Sequence, residues 1–295
     1  KKFMSASSVD LNQIDFVKGN IYLLPSTTEP HSICAKLNTV VTSIQLYPSE
    51  LQGAFHGKHK TICGPKSVYK LTFENTIFHP QGGGQPSDTG LVEMVIDDSI
   101  LEFNVIFSQK GVNGIIENYG VFNSDEKVVN GKLSYALEDS SSSTCAIPAI
   151  LNLNLEKRLL HTRIHSAGHA IDEAVNRCAD KYNIKMVPMK GYHFIDGPYV
   201  EYQLSEDSID PSDAILTTFV NDINQAMKDI ILEDIRTTIT IEPLAEGGFN
   251  RIVTLAGLAC PCGGTHVQST AELQAVTVTK AKKKKNIVKV SYILP

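Results

Sequence analysis

Residues 155–178 read LEKRLLHTRIHSAGHAIDEAVNRC, and the spacing within this stretch decides the kind of fold. Apolar residues fall at 155, 159, 160, 164, 167, 171, 174, 175 and 178, the three-and-four rhythm of an amphipathic helix. With Leu160 set at 0° and about 100° per residue, Ile164, Ala167, Ile171, Val175 and Cys178 cluster within about 60° of it. His161, His165 and His169 fall at about 100°, 140° and 180°, beside the core stripe rather than in it. His165 and His169 are one helical turn apart on the same face, close enough to share a metal ion.

Downstream of this helix the pattern alternates. Tyr192–Leu204 reads as a strand pair around the turn dipeptide Asp196-Gly197. Asp210-Pro211 is expected to start a second helix, Asp as cap and Pro at the first helical position, with Ile215, Phe219, Ile223, Met227 and Ile230 as its apolar face. Strands are expected at Ile235–Ile241, Arg251–Leu255, Ala275–Thr279 and Ile287–Leu294, the last two as a hairpin around Lys280–Asn286. Upstream the chain reads as β: Ile21–Leu24, Val40–Leu46, Val68–Phe73, Leu91–Ile96, Leu101–Phe107 and Lys132–Leu137, separated by Gly, Pro, Asn and Ser. Short strands of this kind suit a small barrel or sandwich. The serine run 140–143, with Thr144 after it, reads as a linker.

At 295 residues the chain is long for one hydrophobic core, so two domains are expected. Composition is that of an ordinary globular protein: 42% apolar, 20% charged and no Trp. A net charge of −5 argues against a protein that coats nucleic acid over its whole surface, while leaving room for a local basic patch. Such a patch is present at Lys280, Lys282, Lys283, Lys284, Lys285 and Lys289. It suits RNA phosphates, and it equally suits a charged hairpin that protects a sheet edge. No apolar run is long enough for a membrane span, and no signal peptide is read, so a cytoplasmic protein without a membrane partner is expected. Six cysteines, mostly isolated, do not make a disulfide scaffold.

The second half of the metal case is Cys262-Gly263-Gly264-Thr265-His266. It offers a thiolate and an imidazole four residues apart on a loop whose glycines let both converge. With His165 and His169 this makes three imidazoles and one thiolate, a tetrahedral zinc set rather than an oxygen-ligand site for magnesium or calcium. One zinc per chain is expected. His161 with His165 forms an alternative pair, and Cys260 is an alternative to Cys262. The 165/169 pair is preferred because Ser166, Ala167 and Gly168 leave room beside a metal, which makes His161 a residue that supports a ligand by hydrogen bonding. Ser166 stands where a zinc peptidase of the HExxH type carries its glutamate, so that chemistry is not expected.

His165-Ser166-Ala167-Gly168-His169 followed by Cys262-Gly263-Gly264-Thr265-His266-Val267 resembles the editing domain of alanyl-tRNA synthetase and the free-standing alanyl-tRNA editing proteins of the AlaX type. Phe78-His79-Pro80-Gln81-Gly82-Gly83-Gly84-Gln85-Pro86-Ser87-Asp88-Thr89-Gly90 resembles the glycine-rich motif of the small barrel in the longer AlaX forms. The resemblance covers about residues 70–294. It implies an α+β protein with an N-terminal β-barrel domain over 1–150 and a two-layer zinc-binding editing domain with a mostly antiparallel sheet over 151–295. It implies trans-editing, the hydrolysis of mischarged Ser-tRNA(Ala) and Gly-tRNA(Ala), with His165, His169, Cys262 and His266 as zinc ligands and tRNA rather than DNA as partner. At 295 residues a full synthetase is not expected. The glycine segment lacks a P-loop ending. Gly82, Gly83 and Gly84 are expected either to pack a tight turn or, with Gln85, to serve the editing pocket or tRNA. Arg251 and Lys282 to Lys285 are further candidates for tRNA contact. Related short forms carry a threonine in the strand after the histidine helix; residues 186–194 have none, and Tyr192 and His193 are each read equally as a polar contact in its place or as a sheet-surface residue.

Overall fold

The computed structural model describes residues 35–47, 66–111, 114–138, 146–243 and 249–295. The expected strand Ile21–Leu24, the serine linker, Cys34, Cys63 and Cys145 lie outside the described residues.

The first part of the described chain is a closed barrel. Its strands are β1 (Lys36–Leu46), β2 (Tyr69–Phe73), β3 (Gly90–Ile96), β4 (Ser99–Lys110), β5 (Ile116–Phe122) and, after helix α1 (Glu126–Glu138), β6 (Ile147–Leu153). Their spatial order is β1-β2-β5-β4-β3-β6, every neighbour antiparallel, with β6 closing on β1. Register shifts in β1 between Val41 and Ser43, and in β4 between Val105 and Phe107, supply the local bends that closure of a small sheet needs. The β3–β4 link turns at Asp97 and Asp98, both at positive φ, as a tight hairpin with right-handed twist requires. Inward residues such as Leu71, Val92, Met94, Leu101, Phe103 and Leu151 fill the barrel.

Lys132–Leu137 is not a strand. It lies in α1, where Val129 and Leu133, one turn apart, pack on the barrel core. Short alternation at 132–137 was outweighed by the longer helical spacing that begins upstream. The barrel ends at Leu153, so the sequence division at 150/151 cuts β6.

The remainder is helix α2 (Leu155–Ala179), strands β7 (Met186–Tyr192) and β8 (Tyr199–Leu204), helix α3 (Asp213–Leu232), and strands β9 (Thr238–Pro243), β10 (Phe249–Leu255), β11 (Leu258–Pro261), β12 (Thr277–Lys284) and β13 (Ile287–Ile293). They form two antiparallel sheets, β11-β10-β9 and β12-β13-β8-β7. The Asn154 side chain caps α2 by accepting from the Lys157 amide. Ser212, not Asp210, caps α3, and the helix starts beyond Pro211. The stripe of α2 (Ile164, Ala167, Ile171, Ala174, Val175) and that of α3 (Phe219, Ile223, Met227, Ile230) share one core with Val200, Tyr202, Val288, Val290 and Tyr292 of the four-stranded sheet. The lysine run is not a hairpin tip, because β12 continues through Lys284 and only Lys285 and Asn286 turn. No helix among the described residues is long and apolar enough to cross a membrane.

The barrel and the helix are pinned together by a buried ion pair. Arg158 on α2 donates to Asp88 of the glycine-rich segment and, through Nη2, to the Ile77 carbonyl at 2.7 Å. Asp88 also accepts from the His79 amide at 2.6 Å. The segment 78–90 is thereby held against the face of α2 that carries the histidines.

Candidate metal centre

His165, His169, Cys262 and His266 converge, their ligand atoms all within 4.8 Å of one another. His165 and His169 project from one face of α2, and Cys262 and His266 from the loop after β11. His165 Nε2 lies 3.2 Å from His169 Nε2 and 3.6 Å from Cys262 Sγ, and His266 Nε2 lies 3.3 Å from the same sulfur. The inward atoms are therefore Nε2 of three imidazoles and one thiol sulfur. This group could hold a metal ion.

Each imidazole has an outward partner at Nδ1. Gln85 Oε1 accepts from His165 Nδ1 at 2.6 Å, which leaves Nε2 as the bare lone pair a metal needs. The same oxygen accepts from the Thr265 amide at 3.0 Å, and Gln85 Nε2 donates to Thr265 Oγ1 at 2.9 Å, so the amide is locked one way round. Ser166 Oγ sits 3.5 Å from His266 Nδ1 and accepts from the Val267 amide at 3.0 Å. Cys260 Sγ lies 3.4 Å from His169 Nδ1, on the far side of that ring from Nε2. Cys260 therefore backs a ligand rather than replacing Cys262. His161 does not join the set: among the described residues its buried Nδ1 has no hydrogen-bond partner, and the supporting role expected of it falls to Gln85, Ser166 and Cys260.

Burial sets the protonation. It holds His165 and His266 well below the ordinary imidazole value, with the neighbouring imidazoles adding to the shift, and it takes His169 down to about 4. Neutral imidazoles are the ligating form. Burial pushes the Cys262 thiol up, opposed by the Gly264 amide and by Arg251, so a cation at the centre is what would favour the thiolate.

The expected substrate-side residues are distributed differently. Gln85 is fully buried and bonded to a ligand. Arg251, expected to face a tRNA end, is 7% exposed and donates through Nη1 to the Cys262 and Gly264 carbonyls, which shapes the ligand loop. Gly84, at φ +80°, lies where a Cβ would come 2.4 Å from the Gly191 carbonyl, and its own carbonyl accepts from the His193 amide at 2.9 Å. Gly82 and Gly83 have open space around them. Lys282, Lys284 and Lys285 are exposed; Lys283 is partly covered and paired with Asp210.

His193 occupies a place the sequence hinted at only weakly. It is 5% exposed, its ring stacks on His165 at 4.8 Å, and its Nδ1 lies 2.7 Å from the Tyr292 hydroxyl, which donates to the Ile164 carbonyl. Gly168, Gly191 and Gly84 are the glycines that make room for this ring. The sequence gives no sign of the part taken by His79 of the glycine-rich motif: its Nε2 lies 3.2 Å from the Gly263 carbonyl and so reaches from the barrel to the Cys262–His266 loop.

Comparison with known proteins agrees with this layout. The threonyl and alanyl tRNA synthetase second additional domain is matched over residues 251–289, the segment that carries Cys262 and His266. Alanyl-tRNA editing protein AlaX-M of Methanosarcina barkeri is 26% identical over 230 residues, which are 72% of this chain and 84% of that protein. Alanyl-tRNA editing protein AlaX-L of Pyrococcus horikoshii is 24% identical over 237 residues, 77% of this chain and 52% of that one. The alanine–tRNA ligase of Methanococcus aeolicus is 24% identical over 276 residues, 88% of this chain but 26% of the ligase. The chain is thus similar over most of its length to the alanyl-tRNA editing proteins AlaX-M and AlaX-L, and the segment that resembles the second additional domain holds its Cys-Gly-Gly-Thr-His loop.

Proposed function

We propose that this chain is a zinc-dependent aminoacyl-tRNA hydrolase that acts in trans, cleaving the ester of Ser-tRNA(Ala) and Gly-tRNA(Ala). The observation that carries the reading is the four-ligand cluster. Tetrahedral zinc with bonds of about 2.0–2.1 Å to nitrogen and about 2.3 Å to sulfur puts two nitrogens about 3.3 Å apart and a nitrogen and a sulfur about 3.6 Å apart. Three of the six ligand pairs, at 3.2, 3.6 and 3.3 Å, lie within about 0.3 Å of this spacing, and all four ligand atoms fall within 4.8 Å of one another. The relatives named as alanyl-tRNA editing proteins support the substrate class.

Zinc, when bound, supplies positive charge and Lewis acidity beside the substrate ester. The protein's own contribution is positional. Gln85, Ser166 and Cys260 set the direction of each imidazole, and Arg251 and His79 fix the loop between Cys262 and His266. Editing suits this build because binding alone separates small side chains poorly, and a second hydrolytic site is the remedy. A site that hydrogen-bonds a serine hydroxyl rejects alanine, which would leave the buried polar group unpaired.

A second reading has one observation in its favour. Four protein ligands fill a tetrahedral shell, as structural zinc sites do, so a non-catalytic tRNA-binding protein with structural zinc is the alternative. Deacylation assays with Ser-tRNA(Ala), Gly-tRNA(Ala) and Ala-tRNA(Ala) decide between them. Wild type is expected to cleave the first two and spare the third, and His169→Ala to lose both zinc and activity. Retained tRNA binding with no cleavage by the zinc-loaded protein would favour the alternative.

A further inference from the structure

The four-stranded sheet buries Val278, Val200, Tyr202, Val288, Val290 and Tyr292 and turns its other face outward. Register sets what that outer face carries. Lys190 pairs with Glu201, Glu201 with Lys289, and Lys289 with Lys282, while Lys280 and Lys284 flank Lys282 on β12. A chain of net charge −5 thus gathers a row of lysines on one sheet face, broken by Glu201.

Beside this row runs a column of planar rings. Phe194 stacks on Tyr192 at 4.6 Å and 19°, and Tyr192 stacks on Tyr199 at 5.2 Å and 15°. Lys289 Nζ covers Tyr199, 3.3 Å from its centroid. One end of the column is therefore closed by a cation. At the other end, Phe194 has Tyr192 as its single stacking partner among the described residues, and it lines a groove of about 660 Å³ with Gln81, Gly83, Gly84, Lys190 and Gly191. The groove wall is glycine backbone, which lets a flat ligand approach closely. Behind Gly84 and Gly191 stands His193, and behind His193 stands His165 of the metal cluster.

We propose that Phe194, backed by Tyr192, is a stacking platform for an unpaired nucleobase of a single-stranded RNA 3′ end, with Lys190 and the lysines of β12 and β13 taking the phosphates beside it. Planar side chains with adjacent positive charge are what single-stranded RNA recognition uses, and a duplex has no free base face to offer. The groove is of the size of a small-ligand site, about 300–1,000 Å³. This inference rests on the reading that a tRNA end is brought to the metal, and it names the surface that holds that end.

The test is binding of two RNAs to the full zinc-loaded chain: a hairpin with a short single-stranded 3′ tail carrying a fluorescent adenine analogue, and a blunt hairpin with the same number of phosphates. Phe194→Ala is expected to weaken the tailed RNA by about 5- to 150-fold, the range of one lost base stack, and to leave the blunt RNA unchanged. Phe194→Trp is expected to retain tight binding and the quenching of the analogue that wild type gives. Lys282→Ala with Lys284→Ala is expected to weaken both RNAs alike and to reduce the salt dependence. Equal binding of the tailed RNA by wild type and Phe194→Ala at unchanged zinc content, or equal loss on both RNAs, would overturn the platform. Failure of the enzymatic reading looks different: tail binding that depends on Phe194 with no ester cleaved keeps the platform and removes the hydrolase, while cleavage that ignores Phe194 does the reverse.

Discussion

Gly168→Ala is the most informative single substitution, because local propensity and packing predict opposite signs. Gly168 lies inside α2, where alanine is ordinarily worth about 0.8–1.0 kcal/mol over glycine. An added Cβ would lie 2.3 Å from His193 Cε1 and 2.9 Å from its Nδ1. Ordinary contact begins near 3.5 Å, so the ring would have to retreat by about 1 Å. It has no direction in which to do so. The Tyr292 hydroxyl holds Nδ1 at 2.7 Å, the Gly191 backbone abuts the Nε2 edge, and His165 stacks on one face. Overpacking of this kind costs about 1–3 kcal/mol, which exceeds the helical gain. The expected net is a loss of up to about 2 kcal/mol, together with weaker zinc binding as the His165 ring is displaced. The assay is urea unfolding of the metal-free protein in a cycle of wild type, Gly168→Ala, His193→Ala and the double variant. With His193 removed, the alanine at 168 is expected to become stabilising by up to about 1 kcal/mol. A stabilised Gly168→Ala with unchanged zinc affinity and no coupling to position 193 would refute the packing argument.

Gln85→Ala removes the acceptor that orients His165, and a loss of about 10- to 100-fold in zinc affinity is expected by competition with a chromophoric chelator. Arg158→Met leaves Asp88 buried without its partner, at a cost of about 3–5 kcal/mol in chemical denaturation that Asp88→Asn in the same chain should partly recover. Burial takes His79 down to about 4. The unfolded chain therefore binds a proton that the folded one refuses, and the metal-free protein should lose about 3 kcal/mol from this group as pH falls from about 6.5 to about 4, read as a falling midpoint of urea unfolding. Gly264→Ala should abolish zinc retention while Gly263→Ala is tolerated, because a Cβ at 264 would come 1.9 Å from His165 Cε1 whereas one at 263 meets nothing within 4 Å; metal content after dialysis separates the two.

Which parts were legible in the sequence follows the range of the signal. The histidine helix was readable because a 25-residue amphipathic pattern averages over many positions, and its observed bounds differ from the expected ones by a residue at most. The convergence of His165, His169, Cys262 and His266 was readable because each pair sits four apart within one local element. Strand β5 was missed because its inward residues include Asn118 and Gly120, which satisfy hydrogen bonds and close approach inside the barrel rather than an apolar alternation. Strand β6 was hidden by Pro148, which sits on the outer side of its strand. The roles of Gln85, Arg251 and His193 were out of reach for a different reason. Their partners are distant in sequence, and a long polar side chain can serve a phosphate or a ligand loop equally well until the fold puts one of them within reach.

That distance has a physical meaning. His165 is a candidate ligand on a helix, yet its surroundings are assembled from separate stretches: Gln85 from the barrel, Gly264 from the Cys262–His266 loop, and His193 after β7, itself fixed by Tyr292 of β13. Metal ligands alone do not make a rigid centre, because an imidazole on a helix can turn about its side-chain bonds. Rotation is prevented here by contacts on the ring edge and both sides, two of them possible only because glycine stands at 168 and 264. The barrel is therefore part of the candidate metal centre, since the residue that selects the His165 tautomer and the ion pair that presses the glycine-rich segment onto α2 both begin there. A chain with all four ligands but a displaced segment 78–90 would keep the composition of the site and lose its geometry.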